Sequence, residues 1–432
     1  VKPGARVQAA IEIIEAVERF HQPAGHTLKE WGRAHRFAGS GDRAAIGNLV
    51  YDVLRRRASI GWAMGDDTPR ALVLGALASA WGMTGEEIES WCDGSEHTAD
   101  VLSEVELGVI AAPNGGAPDW VEGDYPEWLE PHFARVFGAR AGQEGAGLSQ
   151  RAPIDLRVNT LKANRDKLLE SLRKLNPEAT PLSPVGLRIA PRDGAAKSPH
   201  VEAESSHGRG HFEIQDEGSQ VAALLSGARA GQQVADLCAG SGGKTLALAA
   251  AMGNKGQIHA YDVNKQRLRP IFERLKRAGA RNVQVLDAGD EEALGGLAGK
   301  MDIVVIDAPC SGTGVWRRRP DAKWRLSPQA LEERQAEQVS VLDAGVPLLK
   351  PDGRLVYITC SVLAEENSDQ VDAFLERHTG FRLVPIGDIW RGMFESEPPA
   401  SADGQSDTLL LTPASHGTDG FFVAVLQAGE ET

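Results

Sequence analysis

The sequence predicts an α/β protein whose mostly parallel sheet is preceded by an all-α region, and three observations carry that prediction. Apolar residues fall at helical spacing from Val7 to about Arg57, with no strand-like alternation between them. After Gly218, short apolar runs alternate with helical stretches, the signature of parallel strands joined by crossover helices. The first of those runs closes on a glycine turn that opens a helix, which places ligands at the carboxyl ends of the strands.

In the first region Ile11, Ile14 and Val17, then Ile46, Leu49, Val50, Val53 and Leu54, mark the buried faces of successive helices. Ala71–Met83, Glu86–Trp91 and Val101–Ala111 continue the pattern. Pro113–Pro126, rich in proline, glycine and acid, predicts a break before a short helix near Trp128–Phe137. Residues 1–140 therefore read as one all-α domain, and Gly138–Gln150 as a linker. Residues 150–215 read as a small α/β subdomain, with strands at Ile154–Val158, Val185–Ala190 and Phe212–Gln215 and an amphipathic helix at Arg165–Leu175. Residues 216–432 carry the repeated strands Val234–Cys238, Ile258–Asp262, Val283–Asp287, Ile303–Asp307 and Leu355–Thr359. Glu395–Gln405, poor in apolar residues, predicts a mobile loop before a last strand at Phe421–Leu426.

A length of 432 residues suits two or three domains. The four cysteines, Cys92, Cys238, Cys310 and Cys360, show no paired CxxC spacing. That argues against a structural zinc site or a disulfide scaffold and for a reducing, cytoplasmic setting, with no metal expected. No basic-then-apolar leader is present, and the longest apolar stretch, Ala71–Met83, is too short to span a bilayer. No membrane association is expected, and the chain is expected to be a monomer.

The net charge of −14 disfavours nucleic acid at first sight, but the charge is unevenly spread. Residues 1–62 hold ten Lys/Arg against six Asp/Glu, net +4, and residues 63–150 hold three against sixteen, net −13. Most of the acidity is one segment. Two basic clusters remain available to RNA: Arg55, Arg56 and Arg57, and the run Arg317, Arg318, Arg319, Lys323 and Arg325 with Trp316 and Trp324 interleaved. Guanidinium groups suit phosphates and flat rings stack on unpaired bases, although both tryptophans are equally suited to be core anchors.

The run Asp236-Leu-Cys-Ala-Gly-Ser-Gly-Gly-Lys-Thr245 closes the first strand of the large sheet and opens a helix. Its glycines let the backbone turn sharply and approach a ligand, and the helix start offers unpaired N–H groups. Asp262 ends the second strand, 22 residues after Gly240, where an acid can accept both ribose hydroxyls. Asp287 ends the third and could face an adenine amino group. Gly243-Lys244-Thr245 also imitates the end of a phosphate-binding Walker A loop, but Cys238 stands where that pattern fixes a glycine, and Asp262 would have no role.

Two cysteines lie just beyond neighbouring strand ends, in Asp307-Ala-Pro-Cys310 and Tyr357-Ile-Thr-Cys360. A lone cysteine is more often a small buried hydrophobe, and Cys92 and Cys238 are expected to be that. Two at the ligand-binding edge of one sheet point to thiol chemistry. Which of them attacks is not decided by the chemistry alone.

The runs DLCAGSGGKT, DAPCSGTGVWRRRPDAKW and YITCSVLAEEN, in that order, resemble the Fmu/Sun family of RNA cytosine-C5 methyltransferases, and the likeness extends from about Gln215 to Gln427. The helices around Gly41–Arg55 resemble the NusB-like RNA-binding domain of bacterial members that modify small-subunit ribosomal RNA, and the central segment resembles the subdomain that helps hold RNA. The resemblance implies a Rossmann-like class I domain that uses S-adenosylmethionine. By the same carry-over Cys238, Ala239, Gly240, Ser241, Gly242, Gly243, Lys244, Asp262, Asp287 and Asp307 form the cofactor pocket. The resemblance also implies that Cys360 forms a covalent bond to the base, Cys310 helps release the product and Lys244 reaches the target ring; separately, because addition at C6 builds charge at N3, Asp307 is suited to stabilise it. Ser241 departs from the family, which has proline there, and a looser turn is the expected consequence. A different class of function, an RNA-binding assembly factor with secondary catalysis, would retain RNA without methylating it.

Overall fold

The computed structural model describes residues 1–429 and divides into two compact units. The first comprises Val1–Ala152, Pro191–Pro199 and Trp316–Leu326; the second comprises Pro153–Ala190, His200–Val315 and Ser327–Thr432.

The first unit is helical. Its long helices, Pro3–Phe20, Ala24–Ala34, Ser40–Arg55 and Pro69–Ser79, bury Ile13, Ile14, Ile46, Leu49, Val50, Val53, Leu72 and Leu77 in one core, the face that the helical spacing marks. Thr84 and Ser103 start the helices Gly85–Trp91 and Glu104–Ala111 as capping boxes, each exchanging hydrogen bonds with the glutamate three residues on. Cys92 is fully buried there, and burial pushes its thiol up to about 11, as suits a packing residue.

The segment Trp316–Leu326 belongs to this helical unit, where Trp316 takes the core-anchor role the sequence left open, while Arg319 and Arg325 stay exposed. Trp316, Arg317 and Lys323 are buried, and Trp316 stacks on Phe133 with ring centroids 6.0 Å apart. Lys323 Nζ donates to the Arg55 carbonyl at 2.6 Å and to Ser149 Oγ at 2.8 Å, between the rings of Trp316 and Trp324. Trp324 Nε1 donates to the Leu54 carbonyl at 2.6 Å. The Arg55–Arg57 cluster is likewise engaged: Arg55 bonds Asp52 and the Arg317 carbonyl, and Arg57 pairs with Glu18. Buried donors need acceptors, and two carbonyls and a serine hydroxyl of this core supply them for Lys323 and Trp324.

The second unit holds two sheets. In the smaller, β1 (Ile154–Val158), β2 (Glu178–Ala179), β3 (Gly186–Ile189) and β4 (Phe212–Ile214) pair antiparallel in the order β2-β3-β1-β4. Leu156, Val158, Leu187 and Phe212 form its core against the helix Arg165–Ser171. The larger sheet contains β5 (Gln233–Asp236), β6 (Gln257–Ala260), β7 (Val283–Val285), β8 (Met301–Asp307), β9 (Leu349–Thr359), β10 (Phe381–Val384), β11 (Leu409–Leu411) and β12 (Phe421–Ala428). Its order is β10-β12-β9-β8-β5-β6-β7, with β11 also paired to β12. Strands β5 to β9 run parallel; β10, β11 and β12 join antiparallel.

The chain leaves β5 toward β6 and β7, then returns to lay β8 on the opposite side of β5. That reversal opens a crevice at the carboxyl ends of β5 and β8, where Asp236 and Asp307 stand. The loop expected to be mobile is tied down: Ala402 is buried and its N–H donates to the Leu410 carbonyl at 2.9 Å, while Ser401 Oγ accepts from Leu410 N–H at 2.7 Å. No helix among the described residues is long and apolar enough to cross a membrane.

Candidate active site

The glycine turn between β5 and the helix Gly243–Ala251 takes its shape from two left-handed residues, Gly240 (φ 50°) and Gly242 (φ 87°). At Gly242 a Cβ would lie 2.6 Å from Ile271 Cγ1, so the position excludes a side chain on both backbone and packing grounds. Gly240 N–H donates to Asp262 Oδ2 at 2.9 Å, and Asn264 N–H donates to Asp262 Oδ1 at 2.8 Å. Asp262 is thus fixed at the end of β6. Ser241 does not leave the turn loose: Arg274 donates to its carbonyl and its hydroxyl, both at 2.9 Å, and also pairs with Glu213 of β4. Arg157 of β1 donates to the Gly243 carbonyl at 3.0 Å, so the small sheet braces the loop from below.

Beside this turn lies a cavity of about 740 Å³, the size of a nucleoside-class ligand site. Cys238, Asp262, Val263, Arg267, Leu294 and Pro309 are among its walls. Apolar faces flank a carboxylate at the end of the second parallel strand, a chemistry that suits an adenosyl group. Of the residues expected to bind a cofactor, Cys238 and Asp262 line the cavity directly, and Ala239 to Gly243 form the turn beside it. Asp287 is exposed past β7 and is not on the wall; Glu291, Leu294 and Gly295 occupy that side. Burial, with Asp236, Asp307 and Asp262 nearby, pushes the Cys238 thiol far up, so it serves as a wall and not as a nucleophile.

Lys244 and Asp307 meet in the crevice. Lys244 Nζ donates to Asp307 Oδ2 at 3.1 Å and Ser219 Oγ at 2.8 Å, and lies 5.0 Å from the centre of the Phe421 ring. The ammonium is buried, whereas Asp307 remains about one-third exposed. Beneath them Asp236 is wholly buried: its Oδ2 accepts from Thr245 Oγ1 at 2.7 Å, and its Oδ1 has no partner among the described residues. Burial pushes its carboxyl up to about 7.

The two candidate thiols are brought together. Asp307 of β8 and Ile358 of β9 are register partners, so the loops that leave the two strands begin side by side. Cys310 Sγ and Cys360 Sγ lie 3.3 Å apart. The hydrogen-bonding contact with Cys360, burial and the nearby Glu366 push the Cys310 thiol well up, against a smaller lowering by the Gly312 N–H.

Several contributors were not visible in the sequence as site residues. Ser219, Phe421 and Gln338 act on partners 25 residues or more away along the chain, whereas Asp236 and Glu366 stand inside the DLCAGSGGKT and YITCSVLAEEN runs without being singled out there. No group of three His, Cys, Asp or Glu side chains suited to a metal occurs among the described residues.

The strand order and the glycine turn define a Rossmann-like class I methyltransferase fold. Residues 223–427 match the family model for 16S rRNA methyltransferase RsmB/F, and residues 125–192 match that for the RsmF/B-like ferredoxin-like domain. The chain belongs to the RsmB/F family. It is 32% identical over 310 residues to a probable ribosomal RNA small subunit methyltransferase B of Synechocystis sp., covering 70% of this chain and 66% of that one. It is 34% identical over 306 residues to ribosomal RNA small subunit methyltransferase B of Erwinia tasmaniensis, with 70% and 66% covered. The chain thus spans a little under two thirds of these curated relatives. The crystal structure of PH0851 covers 99% of both chains at 27% identity and a TM-score of 0.72.

Proposed function

We propose that this protein methylates C5 of a cytosine in small-subunit ribosomal RNA, with S-adenosylmethionine as cofactor and Cys360 as covalent nucleophile. The observation that carries the reading is the pair of sulfurs 3.3 Å apart at neighbouring strand ends, with Pro309 of the same loop on the wall of the nucleoside-sized cavity. Cys238, Asp262 and the turn from Ala239 to Gly243 would hold the cofactor, with Lys244, Asp287 and Asp307 at its edges. When bound, it supplies a methyl group activated by a sulfonium.

Cytosine C5 is too weak a nucleophile to take that methyl group unaided. Cys360, as thiolate, adds to C6, and the electron pair of the C5–C6 double bond moves toward C5. Charge that develops on the ring through N3 is met by the Lys244–Asp307 pair. Once C5 carries the methyl group, loss of the C5 proton leaves its bonding pair to re-form the C5–C6 double bond as the S–C6 pair returns to Cys360, and Cys310 assists this release. The target base has to leave any helix to reach the thiol, which favours a loop or splayed nucleotide. Residues 1–140 serve as a NusB-like RNA-binding domain and 150–215 as a subdomain that helps hold RNA; the matched ferredoxin-like model supports the latter.

The test is tritium transfer from methyl-labelled S-adenosylmethionine to small-subunit RNA, followed by bisulfite sequencing. One protected cytosine supports the reading. RNA retention without methylation, or ATP hydrolysis that needs no sulfonium, refutes it.

A further inference from the structure

Two cysteines in contact pose a question that the reaction alone leaves open: what makes one the nucleophile and the other its partner. The loops that carry them are not equivalent. Ser311, next to Cys310, donates its N–H to Glu366 Oε1 at 2.7 Å, and its hydroxyl donates to Glu366 Oε2. Gln338 Nε2 donates both to Glu366 Oε1 at 3.0 Å and to the Pro309 carbonyl at 2.9 Å. Glu366 is fully buried, and its own carbonyl accepts from Tyr357 Oη at 2.6 Å. Burial pushes the Glu366 carboxyl up, and the three donors that converge on it from Ser311 and Gln338 oppose that shift by favouring the ionised form.

We propose that Glu366 is a positioning residue that designates the nucleophile: its carboxylate, docked on Ser311 and Gln338, fixes the Cys310 loop against Cys360 and disfavours a second negative charge on Cys310. Cys310 therefore remains a thiol whose proton points at its neighbour, and Cys360 is the sulfur left to attack. The proposal rests on the reading of Cys360 as nucleophile. The groups that face Cys310 are Cys360 past β9, Glu366, Tyr357 on β9 and, three residues upstream, Asp307, whose charge is matched by Lys244. Glu366 is the one unmatched anion among them, and burial leaves its field little screened.

Glu366→Gln is nearly isosteric: its amide oxygen accepts from Ser311 N–H and Gln338, and its amide nitrogen donates to Ser311 Oγ. Only the charge is removed. The test is iodoacetamide labelling of the full chain, without RNA or cofactor, from pH 6 to 10, read by peptide mass at each cysteine. In the native protein Cys360 should label before Cys310 at every pH. In Glu366→Gln the Cys310 profile should move to lower pH, with labelling about tenfold faster on its rising limb for each pH unit of displacement. Glu366→Asp, which keeps the charge, should leave the midpoint near the native one. An unmoved Cys310 profile in Glu366→Gln, with an unchanged melting temperature, overturns the proposal. So does faster labelling of Cys310 in the native protein, a result that needs no variant to fold. Because no methyl transfer is measured, failure here is separable from failure of the cytosine reading.

Discussion

Asp236→Asn isolates the consequence of placing an acid at the floor of the site. The carboxyl is wholly buried, one oxygen lacks a partner, and burial raises it from 3.8 to about 7. A folded-state value above the unfolded one means that the native state holds a proton the unfolded chain has released. The associated stability is fully present below about pH 4 and lost as pH rises through about 7. A displacement of roughly three units at about 1.4 kcal/mol each sets the loss on the order of 4 kcal/mol. Asparagine keeps an oxygen for Thr245 and has no proton to lose, so the variant lacks this component. Urea unfolding of both proteins at half-unit steps from pH 4.5 to 7.5 measures it, because other titrations cancel in the difference. The native protein should lose stability relative to the variant by a few kcal/mol across that window. Parallel curves would refute the assignment of a buried, protonated Asp236.

Gly242→Ala, with φ at 87° and Ile271 Cγ1 2.6 Å from the new carbon, should weaken S-adenosylmethionine binding at least tenfold by calorimetry; unchanged affinity would contradict the tight-turn account. Ser241→Ala should cost less affinity than Arg274→Ala, since Arg274 also holds the Ser241 carbonyl and Glu213, and calorimetry of the two variants ranks them. Burial lowers the Lys323 ammonium to about 7, so its contribution to stability is lost as pH falls through 7 and is complete above about 10. Tryptophan fluorescence of unfolding should accordingly report a midpoint that rises between pH 7 and 10 in the native protein and flattens in Lys323→Met.

The sheet was legible because its strands are short apolar runs separated by turn glycines, and a parallel sheet buried on both faces has that texture. Strand ends fell within a few residues of the expected ones; Cys238, Asp262 and Asp287 lie just past pairing that stops at Asp236, Ala260 and Val285. Cys310 and Cys360 could be placed at one edge from their spacing after strands, but not their contact, since that depends on the register of β8 on β9. Trp316 and Lys323 left two readings open for a physical reason: a cation beside aromatic rings suits RNA and a buried polar site equally, and only the partners, Ser149 and Arg55 far back in the chain, place them in the core. The brace on Ser241 was invisible for the same reason, because Arg274 lies on a different helix.

Covalent capture tests the central claim most directly. With 5-fluorocytidine at the target position there is no C5 proton to remove, so the enzyme and RNA should remain joined after methyl transfer. Digestion should yield one peptide whose mass carries a methylated fluoropyrimidine on Cys360; Cys360→Ala should give none, and Cys310→Ala on ordinary RNA should accumulate a slowly resolving adduct. A pyrimidine found on Cys310, or methylation that proceeds in Cys360→Ala, would contradict the account.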